Sequence, residues 1–402
     1  MAPLMPVEQA LARVVEGAAP LTTESVSLLE AAGRVLAEPI SATWNQPPFD
    51  ASAMDGYAVR WEDVAKTPVT LSVIGESQAG RSYTGTVSAG QAARIFTGAP
   101  VPAGADTIVI QENTDRDGDR ITVRETGGAG AHIRAAGGDF KAGETLLSAG
   151  RYLDPGAIML AAAAGHDRLA VYKKPTVAIL ATGDELVEPG TAPGPDGIVS
   201  SNPYGLAALI SRAGGAPQLL GIARDDHDSL AQKLNEAAGA DILVTIGGAS
   251  VGDRDLVKPA LETYGLQLDF WKVAMRPGKP MLFARSETMR VLGLPGNPLS
   301  CLITARIFLV PLLYRLLGRS DSPNNVRSAV LARDLPANGP RQHYMRANLL
   351  PVDGDMPRAA PIAQQDSAFI SGLVAADALI IRPPNAAAIE AGETVPYLPL
   401  AL

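Results

Sequence analysis

The stretch Thr176-Val177-Ala178-Ile179-Leu180-Ala181-Thr182-Gly183-Asp184-Glu185-Leu186 decides the fold. Its first five residues form a continuous apolar run rich in β-branched side chains, the pattern of a parallel strand buried on both faces. The run stops at small residues, a glycine and two acids, as a strand end turning away from a sheet does. Ile242-Leu243-Val244-Thr245-Ile246 repeats the pattern, and a third such run ends at Leu294. Helical spacing over residues 203–213 and 228–238 fills the interval. This alternation predicts a doubly wound α/β domain over residues 175–321.

Outward from that domain the texture changes. Residues 6–40 read as two short helices, from Val7, Leu11 and Val14 and then Leu28, Leu29 and Val35. Residues 57–147 carry strand-like pieces at 69–74, 93–96, 107–110 and 121–123, punctuated by Gly, Pro and Asp. Residues 148–172 return to helix. The expected organisation is a helical N-terminal domain, residues 1–44 and 148–174, interrupted by an inserted β domain over residues 45–147. A polar linker at 320–326 precedes a C-terminal small β-barrel-like domain over residues 322–402. The fold class is therefore multidomain α/β plus β, as a chain of 402 residues, too long for one ordinary core, requires.

Composition narrows the function. With 5% aromatic residues there is little surface on which bases can stack, and a net charge of −8 opposes nucleic-acid binding. Cys301 is the single cysteine, which excludes a disulfide framework and a thiolate zinc site. His132, His166, His227 and His343 are scattered, without the pairing that zinc enzymes use. The start of the chain lacks the basic residues and apolar core of a signal peptide, and the apolar run over 302–317 is interrupted by Arg306, Pro311 and Arg315. A cytoplasmic protein that binds neither nucleic acid nor membrane is expected.

Ligands of open α/β sheets sit beyond the carboxyl ends of the strands. Four such ends carry chemistry here: residues 181–186, Arg224-Asp225-Asp226, Gly247-Gly248-Ala249-Ser250-Val251-Gly252-Asp253-Arg254-Asp255, and Pro295-Gly296-Asn297-Pro298-Leu299-Ser300. In the last, Asn297 suits a helix N-cap and Pro298 the first helical position, where a missing N–H costs nothing. Free N–H groups and the helix dipole there make an anion site, although the same residues also suit a plain strand–helix turn. Glu185, Asp225 and Asp255 place carboxylates beside it. Acids repel an anion unless a cation lies between, and Mg²⁺ held by one or two carboxylates and by phosphate oxygens fits. Each acid alone would equally serve as a helix cap or face solvent. Met275-Arg276-Pro277-Gly278-Lys279-Pro280 adds two cations suited to oxyanions. The acid-bearing loops Pro47–Tyr57 and Arg134–Asp139 read, by themselves, as joining loops. Together the turns point to Mg²⁺-assisted chemistry on a phosphorylated anion, without naming it.

At Ser52-Ala53-Met54-Asp55-Gly56-Tyr57-Ala58, Thr182-Gly183-Asp184-Glu185-Leu186, Gly247-Gly248-Ala249-Ser250-Val251-Gly252, Pro277-Gly278-Lys279-Pro280 and Leu294-Pro295-Gly296-Asn297-Pro298 the chain resembles the molybdopterin molybdenumtransferase family, which includes the E domain of gephyrin. The ordered set spans residues 52–300. The resemblance implies a four-domain subunit whose α/β part is molybdopterin-binding-like, in a homodimer with a cleft shared between subunits. It implies Mg²⁺-dependent hydrolysis of adenylylated molybdopterin, insertion of molybdate into the dithiolene, and release of AMP. Catalytic roles then fall on Asp55, Asp139, Glu185, Asp225 and Asp255, with Asp55, Glu185, Asp225 and Asp255 as metal ligands, and Asp226 remains an alternative to Asp225. Substrate binding falls on Thr182, Gly183, Asp184, Gly247, Gly248, Ser250, Arg276, Lys279, Pro295, Gly296, Asn297, Pro298 and Ser300. The implied partners are a molybdopterin adenylyltransferase as upstream donor and molybdoenzymes or their chaperones as acceptors. Two departures stand out: Arg276 replaces a frequent Lys, and Gln364-Gln365-Asp366-Ser367 replaces a Gly-Ser pair, which bears on Ser367 and Ser371. Two other readings stay open, a competence-damage-type nucleotide pyrophosphatase and a gephyrin-like scaffold without turnover.

Overall fold

The structure, a computed structural model, describes residues 4–247, 265–351 and 356–401. Gly248, Ser250 and Asp255 of the expected site lie outside the described residues.

The three apolar runs do form adjacent central strands. Thr176–Thr182, Ile242–Ile246 and Arg290–Leu294 pair in parallel, with Ala216–Ala223 parallel on the outer side of the first. Leu282–Arg285 and then Gln267–Trp271 extend the sheet in antiparallel fashion, giving six strands. Side chains alternate between two cores, as a period of two demands. Val177, Ile179, Val244 and Leu292 face the helix Asn202–Arg212, while Ala178, Leu180, Leu243 and Val291 face the helix His227–Glu236. Ala216–Ala223 is an edge strand with Gln218 and Leu219 exposed and a glycine at 221, so it lacks the continuous apolar signature.

The run that begins at Pro298 is a single long helix, Pro298–Leu316, almost wholly buried in the first of these cores. Its interior proline, Pro311, removes the donor for the Ile307 carbonyl and crowds it. The π-helical turn Ala305–Leu309, where the Val310 N–H reaches back to Ala305, is the local widening that accommodates it. Its length and apolarity suffice to cross a membrane, yet protein covers 89% of that span.

The N-terminal part is less helical than its spacing suggests. Val7–Val15 is a helix, but its buried face (Val7, Ala10, Val14) joins the α/β core. The second helix shrinks to Leu28–Ala31, held by a reciprocal Ser27–Glu30 capping box, with Leu29 fully outward. Thr23–Ser27 and Arg168–Tyr172, read as helical, are instead an antiparallel strand pair. The helix Pro155–Ala163 remains, capped by Asp154, which accepts from the Ala157 N–H at 2.8 Å. Val26, Leu36, Leu153, Ala161 and Val171 make this unit's own core.

The inserted unit is a six-stranded sheet in the order Thr107–Ile110, Gly56–Val59, Gln91–Ile95, Val69–Ser77, Arg120–Val123, Thr114–Asp117. In the C-terminal unit, Gln342–Leu350, Arg358–Pro361, Arg327–Leu331, Thr394–Pro399 and Ala378–Arg382 close into a five-stranded barrel, the last strand pairing back to the first. Met275–Arg276, expected as a turn, is a short strand laid parallel on Gln342 and His343 of that barrel.

Gly56 shows how tightly the inserted sheet is built. A Cβ there would sit 2.0 Å from the Val109 carbonyl oxygen of the neighbouring strand. Gly56→Ala should therefore destabilise this unit by about 1–3 kcal/mol or more, read as a lowered thermal unfolding midpoint.

Candidate functional site

The carboxyl ends of the parallel strands are laced together. The buried Thr182 hydroxyl donates to the Ile246 carbonyl at 3.3 Å, tying the first and third turns. Gly247 follows with φ +89°, and a Cβ on it would lie 2.8 Å from the Thr182 carbonyl oxygen, so only glycine allows the turns to approach this closely. The Asp225 N–H donates to Asp184 Oδ1 at 3.2 Å, and Arg224 Nη1 donates to the Asp184 carbonyl at 3.0 Å. These bonds bring the Glu185 and Asp225 turns side by side, with Asp184 and Glu185 exposed.

The adjacent acids Asp225 and Asp226 have different surroundings. Asp226 is the N-cap of the helix His227–Glu236, accepting from the Ser229 N–H at 2.7 Å. The Ser229 hydroxyl in turn accepts from the Arg224 N–H at 3.0 Å. The Asp226 carboxylate is thus committed to its helix.

At the fourth turn Pro298 does occupy the first helical turn, and Asn297 stands at the N-cap position, but its side chain does not cap. Asn297 Nδ2 donates to Ser367 Oγ at 3.0 Å, and the Leu299 N–H donates to the Ser367 carbonyl at 3.1 Å. The donor that Asn297 was expected to satisfy is taken by the barrel, so it is not open to an anion. Asn202 Nδ2 donates to the Gly296 carbonyl at 2.7 Å and holds the turn from the other side. The Ser300 side chain lies in the interior, 5% exposed. Arg276 and Lys279 are both exposed, with the Lys279 carbonyl accepting from the Val273 N–H at 3.0 Å.

Asp55 and Asp139 belong to the inserted unit and its flank. Asp55 Oδ1 accepts from both the N–H and the hydroxyl of Thr97, each at 2.8 Å. Those two bonds hold its carboxyl below the usual carboxylate range, so it is an anion at neutral pH. Asp139 lines a surface cavity of about 500 Å³ with Gln46, Pro47, Arg134, Ala135 and Gly138. Sequence reading missed Thr97, Arg94 and Asn202. Thr97 lies 42 residues from Asp55 and meets it only because the strands Gly56–Val59 and Gln91–Ile95 pair.

Among the described residues, no three His, Cys, Asp or Glu side chains gather into a ready-made metal site. Glu185 and Asp225 nevertheless offer oxygen donors, and Mg²⁺ asks for no more than one or two when phosphate oxygens and water complete its shell.

These features define a multidomain protein built round an α/β domain of the molybdopterin-binding type. Residues 5–165 match the MoeA N-terminal region (domain I and II), 178–315 a probable molybdopterin binding domain, and 328–400 the MoeA C-terminal region (domain IV). The molybdopterin molybdenumtransferase of Nostoc sp. is 39% identical over 94% of this chain and 89% of its own length. That of Haemophilus influenzae is 34% identical over 98% of both chains. The crystal structure of a molybdopterin biosynthesis MoeA protein from Pyrococcus horikoshii OT3 superposes with a TM-score of 0.83 at 31% identity, covering 98% of this chain and 100% of that one. The chain belongs to the molybdopterin molybdenumtransferase family of enzymes and to molybdenum cofactor biosynthesis.

Two outcomes follow from this geometry. Asp226→Ala should cost about 0.5–2 kcal/mol of stability, read by urea unfolding. The second outcome concerns His343, buried opposite Arg276 and Arg382 in the paired strands. Burial, reinforced by Arg276, Arg341 and Arg382, pushes its imidazole down to about 4. Above pH 6.5 it is neutral folded or unfolded. As pH falls from about 6.5 toward 4 the unfolded chain takes up a proton that the folded chain refuses, so stability declines. His343→Gln should remove on the order of 2 kcal/mol of that acid-side decline, measured by unfolding at pH 7 and pH 4.5.

Proposed function

We propose that the protein completes cofactor assembly by hydrolysing adenylylated molybdopterin and inserting molybdate into its dithiolene, with AMP released. The observation that carries this reading is the joined pair of acidic turns, Glu185 and Asp225, on the same carboxyl edge of the sheet as the Pro295-Gly296-Asn297-Pro298 turn, with the Gly247 turn between them. Water supplies the oxygen that goes to phosphorus and AMP leaves, while the two dithiolene thiols replace one oxo group of molybdate, which departs as water with their two protons.

Glu185 and Asp225 would hold Mg²⁺, which neutralises charge on the phosphoanhydride when bound. Arg276 and Lys279 attract the oxyanions, and the backbone of the turn, including Gly247 and Gly296, lets the ligand approach closely. Asp55 and Asp139 are assigned to the same cleft from the inserted unit of a second copy, which makes the working form a homodimer. An exposed apolar face supports that assembly: the helix Pro155–Ala163 is apolar all round, and Met159 and Leu29 are 75% and 89% exposed. A cytoplasmic location and a molybdopterin adenylyltransferase as donor complete the reading.

The test supplies the purified protein with adenylylated molybdopterin, Mg²⁺ and molybdate, and follows AMP and active cofactor together. Both should appear, and Asp55→Asn should lower kcat by roughly 10²–10⁴-fold. AMP without active cofactor would turn the reading to a pyrophosphatase, and a folded but inert dimer would turn it to a scaffold. Mixing Asp55→Asn with Glu185→Gln chains should recover part of the activity that each alone lacks, because one shared cleft in the mixed dimer is then intact. No recovery despite proven subunit exchange would exclude the shared cleft.

A further inference from the structure

Arg94 lies directly behind the Asp55 loop. The strands Gly56–Val59 and Gln91–Ile95 set Arg94 opposite Tyr57 and Ile95 opposite Gly56. The guanidinium carbon is 5.1 Å from the Tyr57 ring centroid and 4.8 Å from that of Phe96, so the cation rests on two aromatic faces. Its amino groups reach in two directions. Nη1 donates to the Gly56 carbonyl at 3.2 Å, and Nη2 donates to Gln111 Oε1 at 2.6 Å. Both acceptors adjoin Asp55: Gly56 follows it in the chain, and the Gln111 N–H donates to the Asp55 carbonyl at 3.1 Å. One residue beyond Phe96, Thr97 grips the Asp55 carboxylate.

We propose that Arg94 is a positioning residue for the reaction, clamping Gly56, Gln111 and the Phe96–Thr97 segment into one frame that aims the Asp55 carboxylate. This rests on the role proposed for Asp55 above. A Met or Leu side chain would fill the space between Tyr57 and Phe96. A planar cation with donors on separate edges is needed to rest on both rings and bind a carbonyl and an amide oxygen together. Lysine keeps the charge over the rings but is a single point donor, so it restores only part of the frame.

The test uses the full chain with adenylylated molybdopterin, Mg²⁺ and molybdate. Arg94→Met should lower kcat by about 10-fold or more, the scale set by a small misplacement of a reacting group, with KM within about twofold because no substrate contact is removed. Arg94→Lys should recover part of the loss. Gln111→Leu should lower kcat in the same direction, and the Arg94→Met/Gln111→Leu pair should lose less than the product of the single losses, since both break one frame. Unchanged kcat per folded molecule in Arg94→Met, or in Arg94→Lys and Gln111→Leu should the methionine variant fail to fold, overturns the proposal. A fall in thermal midpoint with unchanged kcat also overturns it, leaving Arg94 a stabiliser only. Asp55→Asn run alongside separates the two levels. Full activity there removes the assignment of Asp55 and this inference with it, whereas an inert Asp55→Asn beside a normal Arg94→Met removes this inference alone.

Discussion

The burial of one apolar helix, Pro298–Leu316, is the constraint on which the rest of the molecule depends. Leu299, Phe308, Leu312 and Leu313 share a single core with Val7 and Val14 from the N-terminal helix, Val244 and Leu292 from the sheet, and Tyr344, Leu379 and Leu398 from the barrel. Segments far apart in the chain are therefore joined by the same apolar contacts, and close packing transmits a shift in one to the others. Arg306 is buried in the middle of this helix, at a cost that its partners reduce: Asn324 Oδ1, the Pro323 carbonyl and the Pro399 carbonyl accept from its Nη groups, while its Nε meets no acceptor among the described residues. Burial pushes its pKa down only to about 10, so it stays charged at neutral pH and pins the segment over 320–326 against the helix. What reads in the sequence as a loose polar linker is held at Pro323 and Asn324 by Arg306 and at Ser320, whose N–H and hydroxyl donate to the Gly150 carbonyl.

Legibility followed burial. Thr176–Thr182 and Ile242–Ile246 have both faces inside the protein, so the sequence shows an uninterrupted apolar run, and their parallel pairing could be anticipated. Ala216–Ala223 and Gln267–Trp271 lie at the sheet margins with polar residues on their outer sides, and no comparable signal marks them. Thr23–Ser27 and Arg168–Tyr172 carry no strand signal of their own because each is short and half-exposed, and only their pairing across more than a hundred residues makes them strands. The acidic turns could be found for a different reason: strand ends at the carboxyl edge of an α/β sheet converge whatever the loops contain. The partners of Asp55 and Asn297 were hidden. Thr97 reaches Asp55 through a strand pairing, and Ser367 reaches Asn297 through the seating of the barrel, neither of which has a local pattern.

The electrostatic design is local rather than global. A chain with a net charge of −8 repels anions at long range. Locally, however, Arg276 and Lys279 stand exposed where the α/β unit meets the barrel, while Asp55, in the inserted unit, is held ionised by hydrogen bonds to Thr97. His343, which would otherwise add a titrating charge beside Arg276, is kept neutral by burial among arginines.

The bond from the Leu299 N–H to the Ser367 carbonyl has one more consequence. A helix ordinarily finishes its own first turn with a neighbouring side chain, but here the closing acceptor is borrowed from a unit that begins after the helix has ended. The α/β unit by itself would leave the Leu299 N–H without this acceptor in the first turn of its buried helix. The barrel thus acts as a stopper for that one position, and the edge acquires its final polarity only when the last portion of the chain has been made and seated.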